Sequence, residues 1–264
     1  MNYTEYIIEN TKNSKVLIIT DIHNCHKDFH EKPNELRMNV LCDELQAEYE
    51  REQYDLILCL GDYSLDFWAW DEGGSYLKNP PISYTEDFIK RFYLNFPVKA
   101  YMIPGNHEQY GETDWRRITG FPREFVVVYG EYVFVMLDTF AGELDPKEDS
   151  DGVYTGINTE LVKKVLKKHP EKSIILCMHD LIPELESETA MMFIKREERI
   201  LCAFAGHIHR DNTVLLPNSW RNLPVFYCGD FSYNAGRLKD INWGYRILNL
   251  DDNKFSTEYI RVNC

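Results

Sequence analysis

Apolar positions in this chain gather into five short, nearly continuous runs, at residues 15–20, 56–60, 98–103, 173–178 and 200–205. A strand with one wet face alternates, whereas a strand covered on both faces reads as an unbroken apolar run. The five runs therefore predict buried strands. Between them the spacing turns helical. Leu36, Leu41, Leu45 and Tyr49 step by about one turn after Pro33, a residue suited to a first turn. Phe88, Phe92 and Phe96 follow an i, i+4 rule. Leu161, Val162, Val165 and Leu166 make a third apolar face, with Asn158 or Thr159 as its cap. Residues 125–138 read as a hairpin turning near Gly130-Glu131. Strand-like runs follow at 213–216, 225–228, 245–250 and 259–262. No repeat interrupts the pattern, and the Pro/Gly-rich stretch 71–83 and the acidic segment 143–151 read as loops within one domain. The expected fold is α/β, a sandwich with mixed sheets, as a single domain over residues 1–264.

Composition narrows the partners. The chain has 264 residues, 44% of them hydrophobic, which is enough for a sizeable core. Its 29 Lys and Arg stand against 43 Asp and Glu, a formal net charge of −14. Duplex nucleic acid and anionic membranes are bound by basic stripes, so neither is the expected partner; a small anionic substrate is still compatible with a locally positive site. No run approaches the ~18 apolar residues of a membrane span. The opening residues show no basic region leading into an apolar one, so no signal peptide is expected. The seven cysteines form no CxxC pair; Cys59, Cys177, Cys202 and Cys228 sit in apolar runs and Cys42 on a helical apolar face. That is the usage of buried free thiols in a reducing compartment, and it leads us to expect a cytoplasmic protein.

The chemistry lies in how the five runs end. They end in Asp21-Ile-His23, Gly61-Asp62, Gly105-Asn-His-Glu108, His179 and Gly206-His-Ile-His209. Buried strands thus deliver oxygen and nitrogen donors at their carboxyl ends, the edge where open α/β sheets build sites. Single motifs are weak: Asp-x-His is expected by chance roughly once in two such chains, and a second copy, Asp28-Phe-His30, follows no apolar run. Gly-Asp likewise recurs at Gly229-Asp230. Gly-Asn-His and Gly-His-x-His each have a chance expectation of roughly a few per cent or less. The ordered set, one motif after each strand, is what carries weight.

This ordered set resembles the calcineurin-like metallophosphoesterase family, from Asp21 to His209, with room for a trailing sheet after it. The resemblance implies a four-layer α/β/β/α sandwich and two metal ions side by side. It implies that Asp21, His23, Asp62 and His209 hold the first ion, that Asp62, Asn106, His179 and His207 hold the second, and that Asp62 bridges them. It also implies phosphoester hydrolysis by a hydroxide held between the ions, with His107 protonating the leaving alkoxide or holding the phosphate. The donor set agrees: imidazole, carboxylate and amide oxygen suit Mn, Fe or Zn better than Mg or Ca. Two such ions can activate water near neutral pH and clamp phosphoryl oxygens. Gly61, Gly105 and Gly206 precede ligands, where a tight turn or close backbone approach excludes a Cβ.

Several further residues are candidates. The commonest family form has an Asp three residues after the bridging one; here that position is Leu65, and Asp66 follows it as a possible orienting group for His107. The arginine that follows this motif in the protein Ser/Thr phosphatases is replaced by Phe67. The aromatic segment 63–76 reads either as a substrate lid, with Trp68 or Trp70 stacking on a flat group, or as a loop packed by its own side chains. Arg116 and Arg117 are candidates for a second phosphate or carboxylate, or are solvated surface charges. Cys25 and His26 read as loop residues near the site, and Asp180 as a helix cap or an acceptor behind the ligands. The expected activity is hydrolysis of a small phosphomonoester or phosphodiester, a nucleotide-like one among them. A nuclease of the same superfamily and a non-catalytic scaffold of this fold are the competing readings, and the oligomeric state is not legible.

Overall fold

The computed structural model describes residues 3–9, 11–66, 83–143, 152–233, 241–251 and 254–262. In chain order the elements are β1 (Glu5–Ile8), β2 (Lys15–Ile19), α1 (Asn34–Glu52), β3 (Leu56–Cys59), α2 (Tyr84–Arg91), β4 (Ala100–Met102), α3 (Glu112–Thr119), β5 (Phe125–Tyr129), β6 (Tyr132–Met136), α4 (Thr159–Lys168), β7 (Ser173–Cys177), α5 (Glu188–Arg196), β8 (Ile200–Ala205), β9 (Thr213–Leu215), β10 (Pro224–Tyr227), β11 (Gly244–Asp251) and β12 (Lys254–Arg261). They build a seven-stranded sheet, ordered β1-β5-β6-β7-β8-β10-β9, and a five-stranded sheet, ordered β12-β11-β2-β3-β4.

Both sheets are mixed. β2, β3 and β4 run parallel side by side, as do β6, β7 and β8. The strands carrying the five motifs therefore lie as a parallel trio in one sheet and a parallel pair in the other, with their carboxyl ends at one edge. The unbroken apolar runs follow from burial on both faces. In β5 and β6, Phe125, Val127, Tyr129, Tyr132, Phe134 and Met136 enter the core shared with the five-stranded sheet. Their neighbours Val126, Val128, Val133 and Val135 pack instead with Leu161, Val162 and Val165 of α4. A slip of one residue would exchange these two sets, so register is strongly fixed. Met38, Leu41, Leu45, Phe88 and Trp115 bring α1, α2 and α3 to the first core, and Ile194 brings α5 to the second. The layers are the expected α/β/β/α.

The structure adjusts several expectations. Leu36 is 44% exposed, and the buried face of α1 is Arg37, Met38, Leu41, Leu45 and Glu48. The Phe88 helix stops at Arg91 and continues as a 3-10 turn at Tyr93–Asn95, with Phe96 beyond it. The last strand starts at Lys254, because β12 pairs with all of β11 although its residues alternate between exposed and half-buried. β1, α3 and α5 lack long apolar runs and were not foreseen. The 130–131 turn and the Asn158 cap are as expected, the latter accepting from the Leu161 N–H. Cys25, Cys59, Cys177, Cys202 and Cys228 are buried free thiols and Cys42 is half-buried. Most of 71–83 and 143–151 lies outside the described residues.

Glu124, just before β5, is a half-buried carboxyl held by neutral donors: the Asn158 side-chain amide at 2.6 Å and the Asp138 N–H at 3.4 Å. Burial pushes its pKa up to about 7 from an ordinary 4.5. The folded protein keeps this proton over a window in which the unfolded chain has released it, so stability falls as pH rises through that window. Between about pH 4.5 and about pH 7 we expect Glu124 to withdraw on the order of 1–2 kcal/mol of unfolding free energy. Urea unfolding of Glu124→Gln across this range should show a flatter profile than the wild type; parallel profiles would refute the assignment.

Candidate metal centre

Three of the five motifs leave their strands through a sharply turned backbone. Asp21, His23, Asp62, His207 and His209 all have positive φ, at 54°, 48°, 55°, 67° and 51°. A left-handed non-glycine residue costs roughly 1–2 kcal/mol, so five together need strong local support. Part of it is mutual. The Asp62 carbonyl accepts from the Ile22 and His23 N–H groups at 2.8 and 2.9 Å, and the Asp62 carboxylate accepts from the His107 N–H at 3.0 Å. The Asp21 carboxylate accepts from the His207 N–H at 2.8 Å and from the Thr20 hydroxyl at 2.7 Å. Close approach accounts for two glycines. A Cβ on Gly105 would lie 2.1 Å from Asp62 Oδ1, and one on Gly206 would lie 2.0 Å from Thr20 Oγ1.

These turns bring the seven expected ligands together in two groups. In the first, His209 Nε2 is 3.2 Å from Asp21 Oδ1 and 3.2 Å from His23 Nε2. In the second, His179 Nε2 is 3.1 Å from Asp62 Oδ2 and 2.9 Å from Asn106 Oδ1, which is also 3.0 Å from His207 Nδ1. Asp62 Oδ2 is 3.7 Å from His23 Nε2, so the same oxygen faces both groups. His107 Nε2 approaches it at 3.8 Å from outside either set. His207 has a side chain 33% exposed, whereas Asp21, His23, Asp62, His179 and His209 are almost wholly buried.

The ring orientations are fixed from behind. His179 Nδ1 donates to the Leu60 carbonyl at 2.7 Å and His209 Nδ1 donates to the Tyr233 carbonyl, which turns each Nε2 toward the cluster. Phe140 packs against His179 and His207, each at 5.8 Å between centroids, and Tyr233 packs against His209 at 4.6 Å and His23 at 5.2 Å.

The electrostatics call for cations. Burial works against charge on every group here. It pushes His107 down to about 3, an effect that Asp62 opposes and that the neighbouring histidines reinforce. Against the same penalty, Asp62 lifts His179 to about 10 and Asp21 lifts His209 to about 9. Burial would raise the two carboxyls, but His179 and His107 hold Asp62 below the usual range and His209 does so for Asp21. Asp21 Oδ1 is nevertheless buried without a hydrogen-bond partner. Buried carboxylates and imidazole nitrogens converging at about 3 Å, balanced only by protons, fit divalent cations that would displace those protons. Three overlapping groups meet the spacing for a metal: Asp21, His23 and His209; His23, Asp62 and His107; and Asp62, His179 and His207.

Other expectations fare differently. Asp66 does not turn toward His107: its carboxylate accepts from the Tyr84 and Thr85 N–H groups at the start of α2 and from the Tyr110 hydroxyl. Arg116 pairs with Glu112 at 2.6 Å, on the wall of a cavity of about 680 Å³ whose lining includes none of the seven ligand residues. Arg117 pairs with Asp114 and Glu86 on the surface. Trp68 and Trp70 lie outside the described residues. Asp180 accepts from the Leu181 N–H and stands 3.8 Å from His207 Nε2, as an acceptor behind a ligand would. Cys25 and His26 are loop residues outside the metal-spaced groups, and so are Asp28 and His30 of the second Asp-x-His.

Sequence reasoning assigned no role to Glu108, although it is the central support. Glu108 Oε2 accepts from the N–H groups of Asp62 and Gly105 at 2.8 and 2.9 Å, and Oε1 accepts from those of Tyr63 and Ser64 at 2.9 and 3.2 Å. Its only sequence signal is its place at the end of Gly-Asn-His-Glu.

The calcineurin-like phosphoesterase model matches residues 14–211, about three quarters of the chain, and includes every strand-end motif. Among curated proteins none matches in sequence. The fold is similar to that of purple acid phosphatase PPD1 from yellow lupin (Lupinus luteus), with a TM-score of 0.60 and 14% identity over 94% of this chain and 51% of that one. This chain thus spans about half the lupin enzyme's length. It is also similar to GAP50, the anchor in the inner membrane complex of Plasmodium (TM-score 0.56, 11% identity, 94% of this chain and 84% of that one). A phosphatase from Mycoplasma pneumoniae aligns with a TM-score of 0.50 and 12% identity, over 99% of this chain and 94% of that one. At such identities the likeness is one of fold. The sequence match is what decides: the chain belongs to the calcineurin-like phosphoesterase family.

Proposed function

We propose that this protein hydrolyses a small phosphoester at a dinuclear centre. Asp21, His23, Asp62 and His209 hold one ion, Asp62, Asn106, His179 and His207 hold the other, and Asp62 is shared. The observation that carries this reading is Asp62 Oδ2, which faces His23 Nε2 at 3.7 Å and His179 Nε2 at 3.1 Å from between two sets of converging donors. Ions of the Mn, Fe or Zn kind held by these residues would supply Lewis acidity there, toward water and toward the phosphoryl oxygens.

The chain's own residues do the rest. Asn106 Oδ1, within 3.0 Å of His179 and His207, completes the second set with a neutral oxygen. His107 stands on the Asp62 side of the cluster outside both sets, where it holds the phosphate as a neutral N–H donor, or, once a bound phosphate anion raises its pKa, gives the leaving alkoxide its proton. Leu60 and Tyr233 carbonyls keep His179 and His209 in the ligating tautomer. The acid excess of the whole chain disfavours long polyanions, which favours a compact phosphoester over nuclease action. GAP50 is an anchor on a similar fold, but a pure scaffold has no need of seven metal donors, and all seven face one another here. No described helix is long and apolar enough to cross a membrane. With the free thiols, we take the protein to work as one domain in a reducing compartment, the cytoplasm.

Manganese-loaded protein should carry about two ions per chain by elemental analysis and hydrolyse aryl phosphates; running a monoester and a diester in parallel tells which class it prefers. Asp62→Ala should lose both ions and lower turnover at least ~100-fold, since the shared ligand serves both halves. A wild type that takes up no metal and cleaves neither ester would sink the reading. Glu108→Gln replaces two of four accepted N–H bonds by donor-donor contacts. It should reduce urea stability by about 2–3 kcal/mol and weaken Mn²⁺ binding about tenfold; unchanged metal affinity in the folded variant would count against its supporting role.

A further inference from the structure

α1 carries a charge into the core on its buried face, beside Met38 and one turn before Leu41. Arg37 has 0% exposure, and among the described residues no carboxylate lies within ion-pair distance of it. Its Nη1 donates to the Ile22 carbonyl at 2.7 Å and to the Phe231 carbonyl, and its Nη2 donates to the His23 carbonyl at 3.0 Å and to Asn34 Oδ1 at 2.7 Å. The guanidinium also lies 4.8 Å from the Phe29 ring centroid, and its Nε has no partner. Burial lowers its pKa to about 10, so it remains a cation. An unpaired buried cation costs several kcal/mol, and a methionine would fill similar space without that penalty. Core packing therefore does not account for it.

What the four acceptors have in common does. The Ile22 and His23 carbonyls flank the left-handed peptide that presents His23. Phe231 is held from both sides, its carbonyl by Arg37 and its N–H by the Asp21 carbonyl at 3.1 Å. Two residues later the Tyr233 carbonyl fixes the tautomer of His209. One planar fork thus ties together the backbone behind Asp21, His23 and His209. It makes no hydrogen bond to the backbone behind Asn106, His179 or His207, where Leu60 and Glu108 serve instead. We propose that Arg37 is a positioning residue that acts directly on the Asp21/His23/His209 half of the centre, so that its loss weakens that half far more than the other, which it reaches only through the shared Asp62 and the Asp21–His207 contact. This rests on the dinuclear reading above.

The test is Mn²⁺ titration of metal-free protein, with paramagnetic resonance to distinguish a coupled pair from an isolated ion. Arg37→Lys keeps the charge and the stem but cannot span acceptors on three segments. One of its two ions should bind at least tenfold more weakly while the other stays within about twofold, and the coupled signal should give way to that of an isolated ion. As a control, Glu48→Gln removes a buried carboxylate bonded to Tyr245, further along α1; it should lower stability and leave both ions bound. Parallel weakening of both ions in Arg37→Lys, or wild-type affinity for both, would overturn the proposal. Should Arg37→Lys not fold, Asn34→Ala, which removes one acceptor of the fork, must show the same one-sided loss to a smaller degree, and equal affinities there would overturn it too. A wild type that binds fewer than two ions defeats the dinuclear reading, and this inference with it, whereas a one-sided variant and a two-ion wild type support both.

Discussion

Asp62 is a carboxylate almost completely withdrawn from water and placed among three imidazoles, and each neighbouring feature serves to keep it there. Its backbone is left-handed, a conformation few non-glycine residues adopt but one aspartate tolerates better than most. Its carbonyl anchors the loop after β2, its N–H is taken by Glu108, and its side chain accepts from the loop after β4. Three neighbouring strand ends are therefore joined through one residue. Gly105 must be a glycine because its backbone passes against this carboxylate. A buried anion of this kind persists only with compensating positive charge, and protons on His179 or divalent ions in the two donor sets supply it.

That compensation resolves the apparent conflict between an acidic protein and an anionic substrate. The −14 of the chain is a property of its surface as a whole. Two divalent ions set against the two proposed ligand carboxylates, Asp21 and Asp62, would leave the centre locally positive. On the dinuclear reading the far field would repel long polyanions while the near field would attract a single phosphoryl group, and at physiological ionic strength the far field fades within about 8 Å. Selection for compact substrates then needs no specific contact.

The architecture and the clustering of the strand-end donors were legible in the sequence because both are written locally. An unbroken apolar run signals a doubly covered strand, and a donor at its end has one place to go. The supports were not legible because they depend on which loops meet. Glu108 stood in a visible motif, yet nothing in the chain says that the N–H groups of residues 62–64 converge on it. Arg37 reads as an ordinary helix surface residue, while Leu36 beside it reads as core; the structure exchanges them. Asp66 offered the right chemistry for His107 but was closer to the open N–H groups of α2, which claimed it. Adjacent arginines such as Arg116 and Arg117 found acids on their own helix, as most surface arginines do.

The division of the ligands between the sheets gives the centre a second role. Asp21, His23, Asp62 and Asn106 come from the five-stranded sheet, and His179, His207 and His209 from the seven-stranded one. Each proposed half takes donors from both sheets, so an ion held in either half would also tie the sheets together at their common edge. Binding that exists only in the folded state adds stability by mass action, about 2.7 kcal/mol for each ion held at a hundred times its dissociation constant. The left-handed turns at five ligands withdraw stability of the same order in the metal-free protein. Strain at the strand ends and ligation across the sheets would thus oppose one another, and the donors that bear that strain already converge to about 3 Å of one another, poised to take up cations.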